Sequence, residues 1–398
     1  MTDTARAAEH AARDSYGRLL AYLAARTRDI GLAEDALSDA FAKALEVWAR
    51  EGVPNNPDAW LMTVARNRMT DRQRHVARFH TNDEVPDMPL PETVQSLPDE
   101  RLELLMVCAH PAIARDLHTP LMLQTVLGID AGQIARLFMV SPAALTKRLG
   151  RAKAKVRDAG IPFAIPGPEA LPDRAGAILE AIYAAHTLDW VEPTDSGGEE
   201  AIYLADLLVR LLPDFPEVMG LAALIGFGHA RRDARVVDGV LVPTGAQDVA
   251  LWDGSLRAYG DRMLARAFAH HAPGRFQLEA AIQQVHMARA DTGETDWAAL
   301  NQLYHALLRV APSAGALVAQ AVVTGRLHGP AAGLEALDAL APQVGADLQP
   351  VWAARANFLS QLNDPRAGPA YDQAIARATD VSLVRFLEQQ RRRHLDRI

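Results

Sequence analysis

The sequence predicts an all-α protein: two compact N-terminal helical units joined by an acidic linker, followed by a helical-repeat-like C-terminal half. Three observations carry this. Ala, Leu and Arg are abundant while aromatic residues make up only 6% of the 398 residues. Apolar side chains recur at helical spacing through most segments. The Pro- and Gly-rich stretches GVPNNP (52–57), TNDEVPDMPLPETVQSLPD (81–99) and GIPFAIPGPEALP (160–172) fall between those segments and divide the chain.

At this length two to three domains are expected, and 49% hydrophobic residues are enough for real cores. The single cysteine, Cys108, excludes a disulfide framework and a cysteine-rich zinc site. Within the apolar run LLMVCAH it reads as a buried small hydrophobe. The polar start MTDTARAAEHAARD does not resemble a secretory leader, and no stretch reaches the ~18–20 apolar residues of a membrane span. A cytoplasmic protein with no membrane partner is expected. The net charge of -8 is uneven. Basic and acidic residues nearly balance up to residue 160, so the acidity belongs to the C-terminal part and any nucleic-acid role to the N-terminal part.

Residues 6–78 form the first expected unit. One helix covers about 8–26. A second covers about 32–49, with Leu37, Phe41, Leu45 and Trp48 as its buried stripe and Glu34, Asp35, Ser38 and Asp39 opposite. The third covers about 58–78. There Trp60, Leu61, Val64, Ala65 and Met69 supply apolar bulk, while Thr63, Arg66, Asn67, Thr70 and Arg74 align on another face. Arg68, Arg72 and Arg78 flank that face, giving five arginines against the single Asp71. Residues 79–97 then form the acidic, proline-rich linker, unsuited to packing or helix.

The second unit, 98–160, contains two short helices joined by a tight turn at 130–157. Asp130 caps the first, with Gln133 completing a capping box. Ile134, Leu137 and Phe138 form its inward stripe. Ser141 caps the second helix, with Pro142 in its first turn. Leu145, Leu149, Ala152 and Val156 face the core, leaving Thr146, Lys147, Arg148, Arg151, Lys153 and Lys155 toward solvent or DNA. Three of the four lysines in the chain lie on this one helix. That arrangement fits a helix-turn-helix, whose second helix enters the major groove.

Residues 173–398 read as all-helical apart from VVDGVLVPTGAQDVALWD (236–253), a non-helical insertion. GPAAGLEALDALAP (329–342) and DPRAGPAYDQAIARA (364–378) recur near the roughly 34-residue tetratricopeptide period.

AEDALSDAFAKALEVW (33–48) followed by NPDAWLMTVARNRMTDRQR (56–74) resembles domain two of extracytoplasmic-function (group IV, sigma-70 family) RNA polymerase sigma factors. Residues 130–157 resemble their domain four. The likeness covers residues 10–160. DERLELLMVCAHPAI (99–113), RDAGIPF (157–163) and the long extension resemble the subgroup with a tetratricopeptide-like C-terminal domain.

The resemblance implies two sigma-type domains around the linker and a regulatory extension at 173–398. It implies that Asp35, Asp39 and Phe41 bind core RNA polymerase at the β′ clamp helices, with the β subunit as a second contact. Thr63, Arg66, Asn67, Arg68, Arg72 and Arg74 would engage the minus-ten element, with loop 51–56 capturing an extruded base. Ser141, Thr146, Lys147, Arg148, Arg151, Lys153 and Lys155 would engage the minus-thirty-five element. Linker 81–99 would thread toward the RNA exit path. A small YCII-related protein is a further implied partner. Ser38, Gly132-Gln133 and Gly150 depart from the family pattern. Arginines that neutralise phosphate and stack on bases suit promoter opening, and major-groove Arg or Lys contacts each discriminate by roughly 1–3 kcal/mol.

Thirteen histidines, among them His110, His118, His270, His271 and His286, show no metal-ligand spacing. Gly226 and Gly228 form no phosphate loop. No nucleophile–base constellation is present, so neither catalysis nor a cofactor is expected. The alternative reading is a helix-turn-helix regulator of duplex operator DNA. It leaves 33–48 and the basic helix at 56–78 without a use.

Overall fold

The computed structural model describes residues 3–77, 99–167, 169–191, 197–344 and 348–397, with the side chains of 3–14, 71–77, 189–191, 197–200 and 341–344 outside that description. Among the described residues nearly all regular secondary structure is helical, with one short two-stranded hairpin. They form two compact units, one ending at Leu207 and one beginning at Leu208.

The first unit begins with α1 (Asp3–Thr27), α2 (Ile30–Glu51) and α3 (Pro57–Ala77), which pack on one another. Asp29 caps α2 by accepting from Leu32 N at 3.1 Å. Asn56 does the same for α3 through Ala59 N at 3.0 Å. These caps satisfy amides that the first turn of a helix leaves without partners. The buried face of α2 is Ala33, Ala36, Leu37, Ala40, Ala44 and Trp48. Leu45, expected in that stripe, is 50% exposed, and Phe41 is half-buried. The small residues carry the stripe one position away from Leu45 and bring α2 close to its neighbours. Trp48 meets Trp60 edge to face, with ring centroids 5.5 Å apart.

The unit continues with α4 (Arg101–Cys108), α5 (Arg115–Thr125), α6 (Ala131–Leu137), α7 (Pro142–Asp158) and α8 (Leu171–Val191). Helix α1 packs on α4, α2 on α7, and α8 on α5. A Cβ at Gly17 would lie 2.0 Å from the Val126 carbonyl oxygen, so glycine permits the contact between α1 and the end of α5. Cys108 is buried beside Thr125 at 3.4 Å, and burial pushes its thiol up to about 12.

The unit boundary falls within α9 (Gly197–Leu211). The second unit is built around α10 (Pro216–Ala230), buried throughout from Val218 to Ala230. A Cβ on Gly220 would lie 2.6 Å from the Gln277 amide, and one on Gly226 3.0 Å from the Tyr259 ring. Close helix packing therefore accounts for Gly220 and Gly226. Helix α11 (Arg232–Arg235) leads into β1 (Val236–Val237), which pairs antiparallel with β2 (Val240–Leu241). The turn residues Asp238 and Gly239 both take positive φ, 52° and 74°, as a type I′ hairpin requires. The hairpin and the 3₁₀ turns Thr244–Ala246 and Val249–Leu251 form the expected non-helical insertion.

Helices α12 (Gly254–Phe268), α13 (Arg275–Met287), α14 (Arg289–Thr292), α15 (Trp297–Val310), α16 (Ala314–His328), α17 (Pro330–Val344), α18 (Gln349–Gln361), α19 (Ala367–Ala376) and α20 (Val381–Leu395) complete the chain. From α15 onward each helix packs on the next. Gly325 and Gly333 approach so closely that Phe358 seats on both.

Candidate polymerase and nucleic-acid interfaces

Helix α2 places Asp35 and Asp39 four residues apart on an exposed face, with Phe41 half-buried beside them. The buried alanines opposite fix that orientation. On α3, Leu61, Met62, Ala65 and Met69 are buried, while Asn67 and Arg68 are exposed and Thr63 and Arg66 lie at the boundary. Thr63 donates to Ala59 O at 2.8 Å and Thr70 to Arg66 O at 3.0 Å. Arg68 lies 3.9 Å from Asp39, so the acidic face of α2 adjoins the basic face of α3. Arg72 and Arg74 belong to α3, but their side chains lie outside the described residues, as do Arg78 and linker 79–97.

In the second half of the unit, Asp130 caps α6 by accepting from Gly132 N at 2.8 Å and Gln133 N at 3.3 Å. Helix α6 buries Ile134 and Ala135. Leu137 and Phe138, expected inside, are 38% and 36% exposed. The helix has only seven residues and ends at Leu137, and Met139 reverses the chain at φ 51°. The stripe therefore stops short and leaves Leu137 to Val140 on the surface. Pro142 occupies the first turn of α7 as expected, whereas the Ser141 hydroxyl makes no cap bond.

Helix α7 buries Leu145, Leu149, Ala152 and Val156, as the sequence indicates. Ser141, Thr146, Lys147, Arg151 and Lys155 are exposed. Thr146 donates to Pro142 O at 3.0 Å, and Arg148 pairs with Asp116. Lys153 requires a correction. It was expected to face solvent, yet its side chain is 11% exposed. It stands at i+4 from Leu149 and i−3 from Val156, within the apolar stripe.

Its Nζ donates to both carboxylate oxygens of Glu34, at 2.5 and 2.7 Å, and to Gln124 Oε1 at 2.7 Å. The ion pair crosses 119 positions of sequence and joins α7 to α2. Burial raises the Glu34 carboxyl above its ordinary range, and Lys153 opposes that rise. The Tyr16 hydroxyl is also raised, by burial and by the Glu34 charge. A second contact along the same seam brings Arg157 within 3.6 Å of Asp29. Arg26 clasps the Glu100 carboxylate at 2.7–2.8 Å, joining α1 to the start of α4. Sequence reasoning missed Glu34 and Gln124 as partners. The available signal was a lysine placed in an apolar stripe, which demands a buried anion.

Part of the first unit has counterparts among known proteins. Residues 12–79 match Sigma-70 region 2. A Xanthomonas campestris pv. campestris protein described as the probable RNA polymerase sigma factor RfaY is 31% identical over 164 residues, covering 37% of this chain and 40% of that protein. Together they support a sigma-70 family factor acting in transcription initiation. The chain belongs to one family with an uncharacterised protein of Rhizobium meliloti (strain 1021), 35% identical over 399 residues, 94% of this chain and 92% of the relative. Residues 174–268 match a family of unknown function (DUF6596). No solved structure matches the chain.

Proposed function

We propose that the protein is a group IV sigma factor that recruits core RNA polymerase to a promoter set and opens the DNA. The observation that carries this reading is the Sigma-70 region 2 match over α1–α3, whose adjoining acidic and basic faces suit polymerase and DNA respectively. Asp35, Asp39 and Phe41 dock on the β′ clamp helices. Thr63, Arg66, Asn67, Arg68, Arg72 and Arg74 hold the minus-ten side, where bases must be unstacked at a cost of a few kcal/mol. Ser141, Thr146, Lys147, Arg148, Arg151 and Lys155 anchor the minus-thirty-five side, with α6 and α7 as a helix-turn-helix.

The protein works in the cytoplasm and performs no catalysis of its own. Among the described residues no helix is long and apolar enough to cross a membrane. The second unit, tetratricopeptide-like in its helix order, tunes activity, with a small YCII-related protein as a candidate partner. Run-off transcription with core polymerase and a mapped promoter tests the reading. Promoter-specific transcripts and an opened DNA bubble are expected only when both proteins are present. Protection of an operator by this protein alone, without polymerase binding, would instead establish the regulator. Unchanged transcription after deletion of residues 208–398, which leaves α8 packed on α5, would refute a tuning role for the second unit.

A further inference from the structure

In the second unit, α17, α18 and α19 line a cavity of about 360 Å³. Its floor belongs to a packed core: Leu359 and Ala370 are 5% and 3% exposed, and Leu334 packs against the same cluster. Trp352 forms a half-buried wall. The Arg355 and Arg377 guanidinium groups lie 5.9 and 5.5 Å from its ring centroid, within cation–π range. An apolar floor with a few convergent polar groups is what small-molecule sites share, and their volumes run from roughly 300 to 1,000 Å³. This cavity stands at the lower end of that range, so it suits a compact ligand.

The charged residues lining it are Asp338, Arg355 and Arg366. Arg355 pairs with Asp338 at 2.6 Å. Arg366 clasps Asp364 through Nε at 2.9 Å and a terminal nitrogen at 2.6 Å. With Arg377 over Trp352, three cations meet two anions and leave one positive charge in surplus. Each guanidinium carries five N–H donors, so these pairs fix its orientation and leave donors for another oxygen.

A monoanion suits that surplus. A phosphate monoester, carrying about −1.5 to −2 at neutral pH, would bring more negative charge beside Asp338 than the arginines balance. A carboxylate also matches the planar fork of a guanidinium. Trp352, Leu334 and Leu359 offer an aromatic or branched apolar group a face to stack and pack against.

We propose that this cavity binds a small carboxylate carrying an aromatic or branched apolar group. The carboxylate pairs with Arg355 and Arg366, and the apolar group lies against Trp352 on the α18–α19 core. A ligand touching three helices holds α17, α18 and α19 to one arrangement, which gives the second unit a means of responding to a small molecule. The site is independent of the sigma-factor reading, since binding needs neither polymerase nor DNA.

Calorimetric titration of the full chain with phenylacetate, indoleacetate and isovalerate tests the proposal, with their neutral amides and inorganic phosphate as comparators. Ligands of about ten non-hydrogen atoms bind near the millimolar range, so titrations extend to ~10 mM. At least one carboxylate should bind, roughly tenfold more tightly than its amide, because the amide lacks the charge-assisted hydrogen bonds. Arg355→Gln and Arg366→Gln should each weaken binding by a similar factor. The Arg366 side chain is 75% exposed, so its replacement leaves the fold intact and reads the ligand contact alone. Hydrogen exchange should slow in α17–α19 when the ligand is bound.

Failure of all three acids to bind would overturn the proposal. So would amides binding as tightly as acids, or Arg366→Gln binding as wild type does. Tighter binding of inorganic phosphate than of any carboxylate would also overturn it, as would protection confined to helices outside α17–α19.

Discussion

Lys153→Met should destabilise the N-terminal unit by about 3 kcal/mol at neutral pH, and the loss should shrink as the pH falls. The substitution removes the cation but leaves the Glu34 carboxylate only 17% exposed. Breaking a buried pair in this way costs ~3–5 kcal/mol. Protonation sets a ceiling, because a carboxyl that ionises near 4.3 in the unfolded chain can take up a proton at pH 7 for about 3.7 kcal/mol. Burial already raises this group with the lysine present, and removing Lys153 removes the principal opposing influence.

The sign follows from linkage. With the folded carboxyl raised, the folded state binds more protons than the unfolded one between the two ionisation points. Stability is therefore lost as pH rises through that window, by up to ~1.4 kcal/mol per pH unit. At pH 5.5 the ceiling falls to about 1.6 kcal/mol. Hydrogen exchange of the α2 and α7 amides, read at pH 7.5 and 5.5, isolates the local effect from the second unit. Glu34→Met with Lys153→Met should recover most of the protection, since neither charge then remains buried. A loss under about 0.5 kcal/mol at pH 7.5, or one independent of pH, would refute the reasoning.

Other outcomes follow from separate features. Gly17→Ala should lower the thermal midpoint of the first unit, because its Cβ would meet the Val126 carbonyl oxygen at 2.0 Å. Overpacking of this kind costs ~1–3 kcal/mol and outweighs the helix propensity gain of up to ~1 kcal/mol. Arg66→Ala should reduce promoter opening more than duplex binding, measured by permanganate reactivity of unpaired thymines beside gel-shift affinity. Arg151→Ala should weaken binding to a minus-thirty-five duplex and lower the salt slope by roughly one unit if it neutralises a phosphate, read from affinity against salt concentration. In the second unit, burial and the charges of Arg231 and Arg289 lower His286 to about 4. Stability there should be fully present above about pH 6.5 and fall toward pH 4 by at most ~1.4 kcal/mol per unit. Denaturation midpoints at pH 7 and 5 should show this, and His286→Gln should flatten it.

Much of this architecture was legible in the sequence because it depends on short-range rules. Three helices, expected at about 8–26, 32–49 and 58–78 from apolar spacing and the break at GVPNNP, are found at 3–27, 30–51 and 57–77. The basic character of α7 and the insertion at 236–253, with its Asp-Gly turn, follow equally from local residue choice. Resemblance to sigma factors was available for the same reason, since the region 2 signature is contiguous at 12–79.

The readings that failed were those of facing. Leu45 on α2, Leu137 and Phe138 at the end of α6, and Lys153 on α7 each satisfy a helical stripe in one dimension. Which side is covered depends on neighbours that arrive from distant sequence. Leu45 is exposed because alanines form the contact. Leu137 and Phe138 are exposed because α6 ends after seven residues. Lys153 is buried because Glu34, 119 positions away, supplies its anion.

The sequence by itself determined the helices, their order, and the surfaces rich in arginine, lysine and aspartate, because period and capping act within a few residues. Only the tertiary structure decided that the basic helix α7 lies against α2. That choice rests on a buried charge finding its partner across the fold, which no spacing within one segment reveals.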